Sequence, residues 1–234
     1  MATSTPTPGV LMRLVQPREG VTVPASALTP PAPCPHVQAT WTTVAQDGEK
    51  PTHNTIYFVS DIGPLVTKSE AASSGGGGDD LYAADVRAHA DTLASVSWVV
   101  LAFVNGRVRD GPTSSVLTTS TPLVAPAPAT GSVIVFNGGT PRPDKVDDYH
   151  AWYDQEHGAK LTHVPGWQTM RRYRLAKAYG DAEAASFYGM NAYDAENGLG
   201  GKEWQAGVTE WTLRIRSQAA RPNLRRVWTM QSAA

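Results

Sequence analysis

The chain has 234 residues, enough for one large domain or two of about 100 to 120 residues with their own cores. Its 20 basic and 21 acidic residues nearly cancel, so it lacks the charge that a nucleic acid or an anionic membrane would attract. Cys34 is the only cysteine, which excludes a disulfide framework and a cysteine-based zinc site. The longest apolar run, residues 98–104, is too short to span a bilayer. We therefore expect a soluble, cytoplasmic protein.

The first half of the chain predicts four strands and one clear helix. The strands are short apolar or alternating runs bounded by turn residues, and they cover residues 10–15, 37–45, 54–60 and 98–104. A helix capped by Asp79 or Asp80 is expected to run to about residue 95. Residues 17–36 hold six prolines and read as loop. Residues 106–130 are rich in Thr, Ser, Pro and Ala, which is typical of a connection between two halves.

The second half repeats this order of elements more completely. Its predicted strands cover residues 133–136, 167–176, 186–193 and 224–230. A helix from residue 144 to about 161 follows the first strand, and another ends near Arg221–Pro222. The order β-α-β-β-α-β is the ferredoxin-like arrangement. We therefore expect an α+β protein with a degenerate half (9–105), a linker (106–130) and a complete half (131–231), which suggests an internal duplication.

One face of the helix over residues 144–161 carries polar groups where a core helix would carry aliphatic ones. At 100° per residue, the residues on this face are Val146, Tyr149, His150, Tyr153, His157, Lys160 and Leu161. Each buried apolar side chain contributes roughly 1.5 to 3 kcal/mol, and an unpaired polar one costs a comparable amount. The pattern therefore favours a helix that lines a cavity.

A structural interpretation of the same face stays open. A tyrosine-rich helix can pack on a sheet with its hydroxyls at the rim, and a single inward histidine often bonds a backbone carbonyl. His150, at the edge of the face, fits that interpretation. His157 together with Tyr153 and Lys160 favours a functional role, because three polar groups on a core face are hard to satisfy by accident. His163, in the following loop, fits either.

Arg171 could bind a substrate carboxylate or enolate, although for a single arginine the pattern favours a surface charge or an ion pair with Asp148 or Glu156. The sequence contains no G-x-G-x-x-G after a strand, no H-E-x-x-H and no G-x-S-x-G. His150 and His157 lie two helical turns apart, about 10.5 Å, which is too far to share a metal unaided. These features favour proton transfer without a cofactor or metal.

Three motifs carry a resemblance to a known family. The run Trp-Tyr-Asp-Gln-Glu-His over residues 152–157, Val-Pro-Gly over 164–166 and Arg-Arg-Tyr over 171–173 resemble the EthD-like proteins of filamentous fungi, in the dimeric α+β barrel superfamily. The resemblance covers residues 132–230. It implies two ferredoxin-like halves whose sheets close into a barrel, here within one chain, with a pocket between sheet and helices. It also implies an acid/base role for His157.

Family members include polyketide cyclases, decarboxylases, lactone isomerases and small monooxygenases that use no metal or flavin. We therefore expect a cofactor-free cyclase or isomerase acting on a hydrophobic, oxygenated, polyketide-like intermediate. A decarboxylase and a non-catalytic binding or assembly module remain alternatives, and a homodimer is possible. His157 would be the acid or base at a pKa near neutrality, with Tyr153 and Lys160 as further catalytic residues. The expected substrate-binding residues are Tyr149, His150, His163, Trp167 and Arg171.

Overall fold

Eight antiparallel strands close into a barrel in the computed structural model, which describes residues 5–28, 30, 36–68, 77–110, 115–119 and 127–234. Cys34 and parts of the predicted linker lie outside these ranges. In the first half, strands pair in the order β4-β1-β3-β2, and in the second half in the order β9-β6-β8-β7. Each half thus has ferredoxin-like strand order, which confirms the predicted fold class.

The strands of the first half are β1 (Gly9–Pro17), β2 (Val37–Ala45), β3 (His53–Val59) and β4 (Leu93–Asp110). Those of the second half are β6 (Val133–Gly139), β7 (Trp167–Tyr179), β8 (Phe187–Tyr193) and β9 (Leu224–Ala233). The halves join where β2 pairs with β9 and β4 pairs with β7. Because the barrel closes within one chain, closure does not require a homodimer, which stays a prediction.

Strand β4 is much longer than the apolar run that predicted it. It continues to Asp110 and pairs with β5 (Ser115–Thr119), so part of the expected linker forms a hairpin. The polar residues at both ends of β4 are held in the strand by pairing with β1 on one side and β7 on the other. Hydrophobicity alone marks only the buried middle of such a strand.

Short helices cover the outside of the barrel. On the first half these are α1 (Ala25–Leu28), α2 (Gly63–Val66) and α3 (Gly78–Ala88); on the second they are α4 (Val146–Trp152), α5 (Gly158–Leu161), α6 (Lys202–Gln205) and α7 (Glu210–Ser217). The four-residue α1 stands where the second half has α4 and α5. Among the described residues, no helix is both long and apolar enough to cross a bilayer.

A π-helical turn, Tyr153–His157, joins α4 to α5. The Gly158 N–H donates to the Tyr153 carbonyl, five residues earlier, where an α-helix would use the fourth. A Cβ on Gly158 would lie 2.8 Å from that oxygen and 3.0 Å from Met170 Cε. Glycine therefore lets the helix rest closely on β7. The extra residue rotates the positions that follow by about 100° relative to a regular α-helix.

Side chains alternate between the inside and the outside of the barrel. Phe136, Tyr173, Met190 and Trp228 belong to the cluster that fills the interior. A second cluster packs under α2 and α3 on the outside of the first half. A third packs under α4, α5 and α7 on the outside of the second half, and it includes Tyr149, Trp152 and Tyr153. The face predicted to line a cavity therefore looks onto the outer surface of the second sheet.

Candidate active site

A cavity of about 240 Å³ lies between the sheet of the second half and its helices. The helix that includes the π turn contributes Tyr149, Trp152, Tyr153 and His157 to its wall. The remaining lining comes from β6, β8, α6, α7 and the start of β9, and includes Asn137, Tyr193, Trp204, Thr212, Arg216, Asn223 and Arg225. We call this the outer cavity. Its volume lies just below the range of about 300 to 1,000 Å³ usual for ligand pockets.

Two tyrosine rings lie on glycines of the sheet. A Cβ on Gly139 would come within 2.8 Å of the Tyr149 hydroxyl, and one on Gly189 would come within 2.7 Å of the Tyr153 hydroxyl. Each ring occupies the space that a side chain on the strand would fill. The glycines in β6 and β8 therefore fix both phenols close to the sheet at the cavity wall.

The two phenols are neutral and linked. Burial raises the pKa of Tyr149 well above its usual value and also raises the pKa of Tyr153. A hydrogen bond links the two hydroxyls, and it raises the pKa of Tyr149 and lowers that of Tyr153. Tyr153 also packs against Arg172, whose guanidinium carbon lies 4.6 Å from the ring centroid. Both phenols can therefore act as hydrogen-bond donors.

His157 is held between an aromatic ring and a backbone carbonyl. Its imidazole stacks on Trp152, with centroids 4.1 Å apart and planes 19° apart. A hydrogen bond to the Gly207 backbone favours the protonated ring, so the histidine is the donor. Nδ1 is buried with no partner among the described residues, which identifies Nε2 as that donor. His157 therefore lines the cavity and also bonds a backbone carbonyl. The sequence pattern had left these two interpretations as alternatives.

Burial and, to a smaller extent, the neighbouring Arg216 lower the pKa of His157 to about 4. The expectation of a pKa near neutrality is therefore wrong for this site without a ligand, because a low-dielectric, cationic surrounding disfavours the imidazolium. At pH 7 the ring is neutral. With Nε2 donating to Gly207, Nδ1 carries the free lone pair.

A polar network links Trp152 to α7 and to the loop before it. The Trp152 indole Nε1 donates to Thr212 Oγ1 at 3.2 Å, and that hydroxyl donates to the Gly207 carbonyl at 3.0 Å. The same carbonyl accepts from His157. Thr209, the N-cap of α7, donates to Glu156 Oε1 at 2.5 Å. Trp152 and Glu156 thus connect the helix to α7.

The cavity rim carries positive charge that the sequence did not reveal. Arg216 on α7 and Arg225 on β9 line it, and both are exposed. Within the described part of the chain neither is in an ion pair, and no carboxylate is among the lining residues. The alternation of Arg214 and Arg216 along α7 gave a weak signal, but only the fold brings Arg225 beside them. The site therefore suits an aromatic molecule with negative charge.

Five other predicted residues lie outside this lining. Lys160 is half-buried but absent from the cavity wall, because the π turn rotates the positions after His157. His163 is exposed, and its Nδ1 lies 3.1 Å from the Ala159 carbonyl oxygen. Trp167 is buried beneath the helices, 3.4 Å from Asn191 Oδ1. His150 contacts Arg172 at 2.5 Å.

Arg171 lies on the opposite face of the sheet, inside the barrel. Its Nη1 donates to Thr169 Oγ1 at 2.8 Å, and its guanidinium carbon lies 5.1 Å from the Trp41 ring centroid. The next residue, Arg172, faces the helix instead and pairs with Asp154 at 2.6 Å. Strand alternation explains the difference. Arg172, rather than Arg171, is the arginine that contacts the tyrosines of the cavity.

Tyr149, Tyr153 and His157 are therefore the predicted residues that the structure brings together at one cavity. Within the described ranges, no group of three or more His, Cys, Asp or Glu side chains is arranged to hold a metal ion.

No protein-family model matches the sequence, and no curated protein sequence does either. Several solved structures match this chain, and the three described next match nearly all of it. An anthrone oxidase-like protein matches with a TM-score of 0.60 and 13% identity, over 100% of this chain and 95% of its own. A protein of Lactobacillus acidophilus NCFM, provisionally named a monooxygenase, matches with a TM-score of 0.53 and 10% identity, over 97% and 96%.

A protein of Fusobacterium nucleatum subsp. nucleatum, also provisionally named a monooxygenase, matches with a TM-score of 0.56 and 5% identity, over 97% and 94% of the two chains. At such identities the likeness concerns the fold alone. The narrower EthD-like assignment stays a prediction. The chain thus has the dimeric α+β barrel fold, with both halves in a single polypeptide.

Proposed function

We propose that this protein is an enzyme that binds an aromatic, oxygenated anion in the outer cavity and isomerises or cyclises it by proton transfer at His157. The composition of the lining carries the proposal: aromatic walls, one neutral imidazole and two arginines, without a carboxylate among the lining residues. Aromatic walls suit a flat apolar body. The two exposed arginines, which form no ion pair among the described residues, suit a carboxylate, a phenolate or an enolate.

His157 would act first as the base. With Nε2 donating to Gly207, Nδ1 takes a proton from a carbon next to a carbonyl, which leaves an enolate and an imidazolium. The imidazolium then returns its proton to a different carbon of the enolate, so that an isomer forms and no atoms are lost. Nδ1 is covered in the free protein, so the ring must shift locally when substrate enters. The enolate's negative charge would raise the pKa of the imidazole towards neutrality.

The other lining groups would stabilise the enolate. Tyr149 and Tyr153 offer hydroxyl donors that remain neutral at the pH of the reaction, because burial raises both pKa values. Arg216 and Arg225 would attract the negative charge from the rim. Donors fixed before the charge develops lower the barrier more than donors that must reorganise. A β-keto or aromatic acid would use the same groups for decarboxylation, with its carboxylate at the rim.

Oxygenation is the second candidate, favoured by the names of the structural neighbours, an anthrone oxidase-like protein and two proteins provisionally named monooxygenases. It would begin with the same deprotonation. The carbanion of a ring methylene would then react with O₂, giving a ring carbonyl and one water. In this reaction O₂ is the oxidant: one oxygen atom enters the product and the other leaves as water.

The test uses anthrone as a probe in D₂O under argon, with deuterium incorporation at the ring methylene followed by mass spectrometry. We expect incorporation above the uncatalysed background, reduced by about 100-fold in His157→Phe. His163→Phe is the matched control, since His163 is an exposed loop histidine outside the cavity. Oxygen uptake on admission of air would favour oxygenation. Binding without exchange or oxygen uptake would favour the non-catalytic alternative.

A further inference from the structure

The interior of the barrel contains a second cavity, distinct from the outer one. It has a volume of about 600 Å³, opens at one end of the barrel and has apolar walls that include Met12, Leu14, Val99, Phe136 and Trp228. The sheet separates it from the outer cavity. Phe136 faces the interior cavity, while the preceding Val135 faces the outer one. We call it the barrel cavity.

Only one half of the barrel interior is open. At the far end Arg171 fills the space, with its guanidinium carbon 5.1 Å from the Trp41 ring and 5.5 Å from the Phe58 ring. Along β1, Val10 is paired with Phe58 at that filled end, whereas Leu14 is paired with Asn54 nearer the opening. The barrel cavity therefore has a closed floor and a single mouth.

Buried polar groups lie in and beside the barrel cavity. Trp228, which lines it, is fully buried, and its Nε1 has no hydrogen-bond partner among the described residues. Asn54 is 1% exposed and lies directly opposite the lining residue Leu14 on the neighbouring strand β3. Both polar atoms of its amide lack a partner in the described ranges. Strand alternation places Asn54 inside, because Ile56 and Phe58 are interior. Burying such polar groups without hydrogen-bond partners is unfavourable, so we expect a bound molecule or water to supply the missing hydrogen bonds.

The mouth carries balanced charge. Lys50, Arg225 and Arg226 are matched there by Glu49, Asp181 and Glu183. Arg226 is fixed across the rim, because its Nε donates to Asp47 at 3.0 Å and its guanidinium carbon lies 4.3 Å from the Trp228 ring. Arg225 lines both cavities, but only the outer one lacks compensating carboxylates. This balance favours an uncharged ligand.

We infer that the barrel cavity is a second binding site, which takes an uncharged aromatic ketone. Trp228 Nε1 is covered in the free protein, so a local shift of the indole would let it donate a hydrogen bond to the carbonyl of the ketone. The apolar walls would hold the rings, and the volume lies within the range of about 300 to 1,000 Å³ usual for small-molecule sites. The site is independent of the function proposed for the outer cavity. It requires no chemistry at His157.

The test is a titration of the ¹⁵N-labelled full chain with 9-fluorenone, read from the indole N–H resonances. Trp228→Phe assigns the Trp228 signal by its loss and should weaken binding by about fivefold. Ser95→Trp would block the mouth, since Ser95 lines it and is half-buried. Ala94→Trp is the matched control, because the neighbouring Ala94 is exposed and does not line the cavity.

A saturable shift of the Trp228 indole signal in the wild type and in Ala94→Trp, absent in Ser95→Trp, would support the site. Thermal melts of both variants verify that they fold. No shift of this signal up to the solubility limit would overturn the proposal and indicate water only. A shift that persists in Ser95→Trp would also overturn it. Unchanged affinity for 9-fluorenone in Trp228→Phe would show that Trp228 Nε1 does not bond the ligand, and would exclude the assignment of a ketone.

Discussion

The imidazole of His157 lies almost parallel to the indole of Trp152, with ring centroids 4.1 Å apart. The indole is itself anchored, because its Nε1 donates to Thr212 on the opposite helix. The stack excludes water from one face of the imidazole and contributes to its low pKa. Trp152 therefore helps to determine the protonation state of the candidate base, although it lay off the polar face in the helical projection.

The pKa of His157 should make stability depend on pH. Above pH about 6.5 the histidine is neutral in both the folded and the unfolded chain. Between pH values of about 6.5 and 4, the unfolded chain binds the proton while the folded chain does not. The free energy of unfolding therefore decreases as the pH is lowered, by at most about 3 kcal/mol. Urea unfolding at pH 7, 5.5 and 4.5 measures this. His157→Phe should flatten the profile, and an equal slope in both proteins would contradict the assigned pKa.

Thr212→Val should loosen the wall of the outer cavity. The substitution removes the acceptor of the Trp152 indole and one of the two donors to the Gly207 carbonyl. Because the indole N–H is buried, we expect a loss of about 1 to 3 kcal/mol in the free energy of unfolding. Val keeps the shape of Thr, so packing is nearly unchanged. A loss below about 0.5 kcal/mol would mean that this network contributes little.

Gly189→Ala should displace Tyr153 from the sheet. The new Cβ would lie 2.7 Å from the Tyr153 hydroxyl but 3.3 Å from the ring carbon that carries it. We expect the alanine to cost about 1 to 3 kcal/mol. In the Tyr153→Phe background the cost should fall by about 1 kcal/mol, since the clashing oxygen is gone. Equal costs in both backgrounds would show that the ring does not rest on this glycine.

Arg172→Met should be far more damaging than Arg214→Met. Arg172 is 2% exposed and contacts Asp154, His150 and the Tyr153 ring. Its removal should cost about 1.5 to 3 kcal/mol, while Asp154, half exposed, stays solvated. Arg214 pairs with Asp148 at the exposed surface, so its removal should change stability much less. Chemical denaturation of both variants makes the comparison, and similar losses would contradict it.

Local patterns predicted the elements and part of the site. The spacing of Tyr149, Tyr153 and His157 along one helix was enough to place all three at one cavity. The prediction that Lys160 lies at the cavity was wrong because the π turn adds a residue to the helix. The hydrophobic pattern does not reveal where a helix changes its hydrogen bonding. The prediction that Arg171 lies at the same site was wrong because the register of a strand decides which side chains point to each face of the sheet.

Other features depend on contacts between residues distant in the chain. Arg216 and Arg225 meet His157 only after α7 and β9 pack on the second half. The low pKa of His157 arises from burial and from Arg216, 59 positions later in the sequence. Likewise, the apolar run at 98–104 predicted the middle of β4, but its full extent depends on β1 and β7. The spacing of residues within one segment does not predict contacts between segments that are distant in the chain.

Selection of an aromatic anion by the outer cavity can be measured by calorimetric titration with anthracene-2-carboxylate and its uncharged carboxamide. The two ligands differ only in charge at one end, so the difference in affinity reports the arginines at the rim. The carboxylate should bind about five- to tenfold tighter at low salt, and Arg216→Met should remove most of that preference. Equal binding of the two ligands, or a preference unchanged in Arg216→Met, would show that the arginines at the rim do not select an anion.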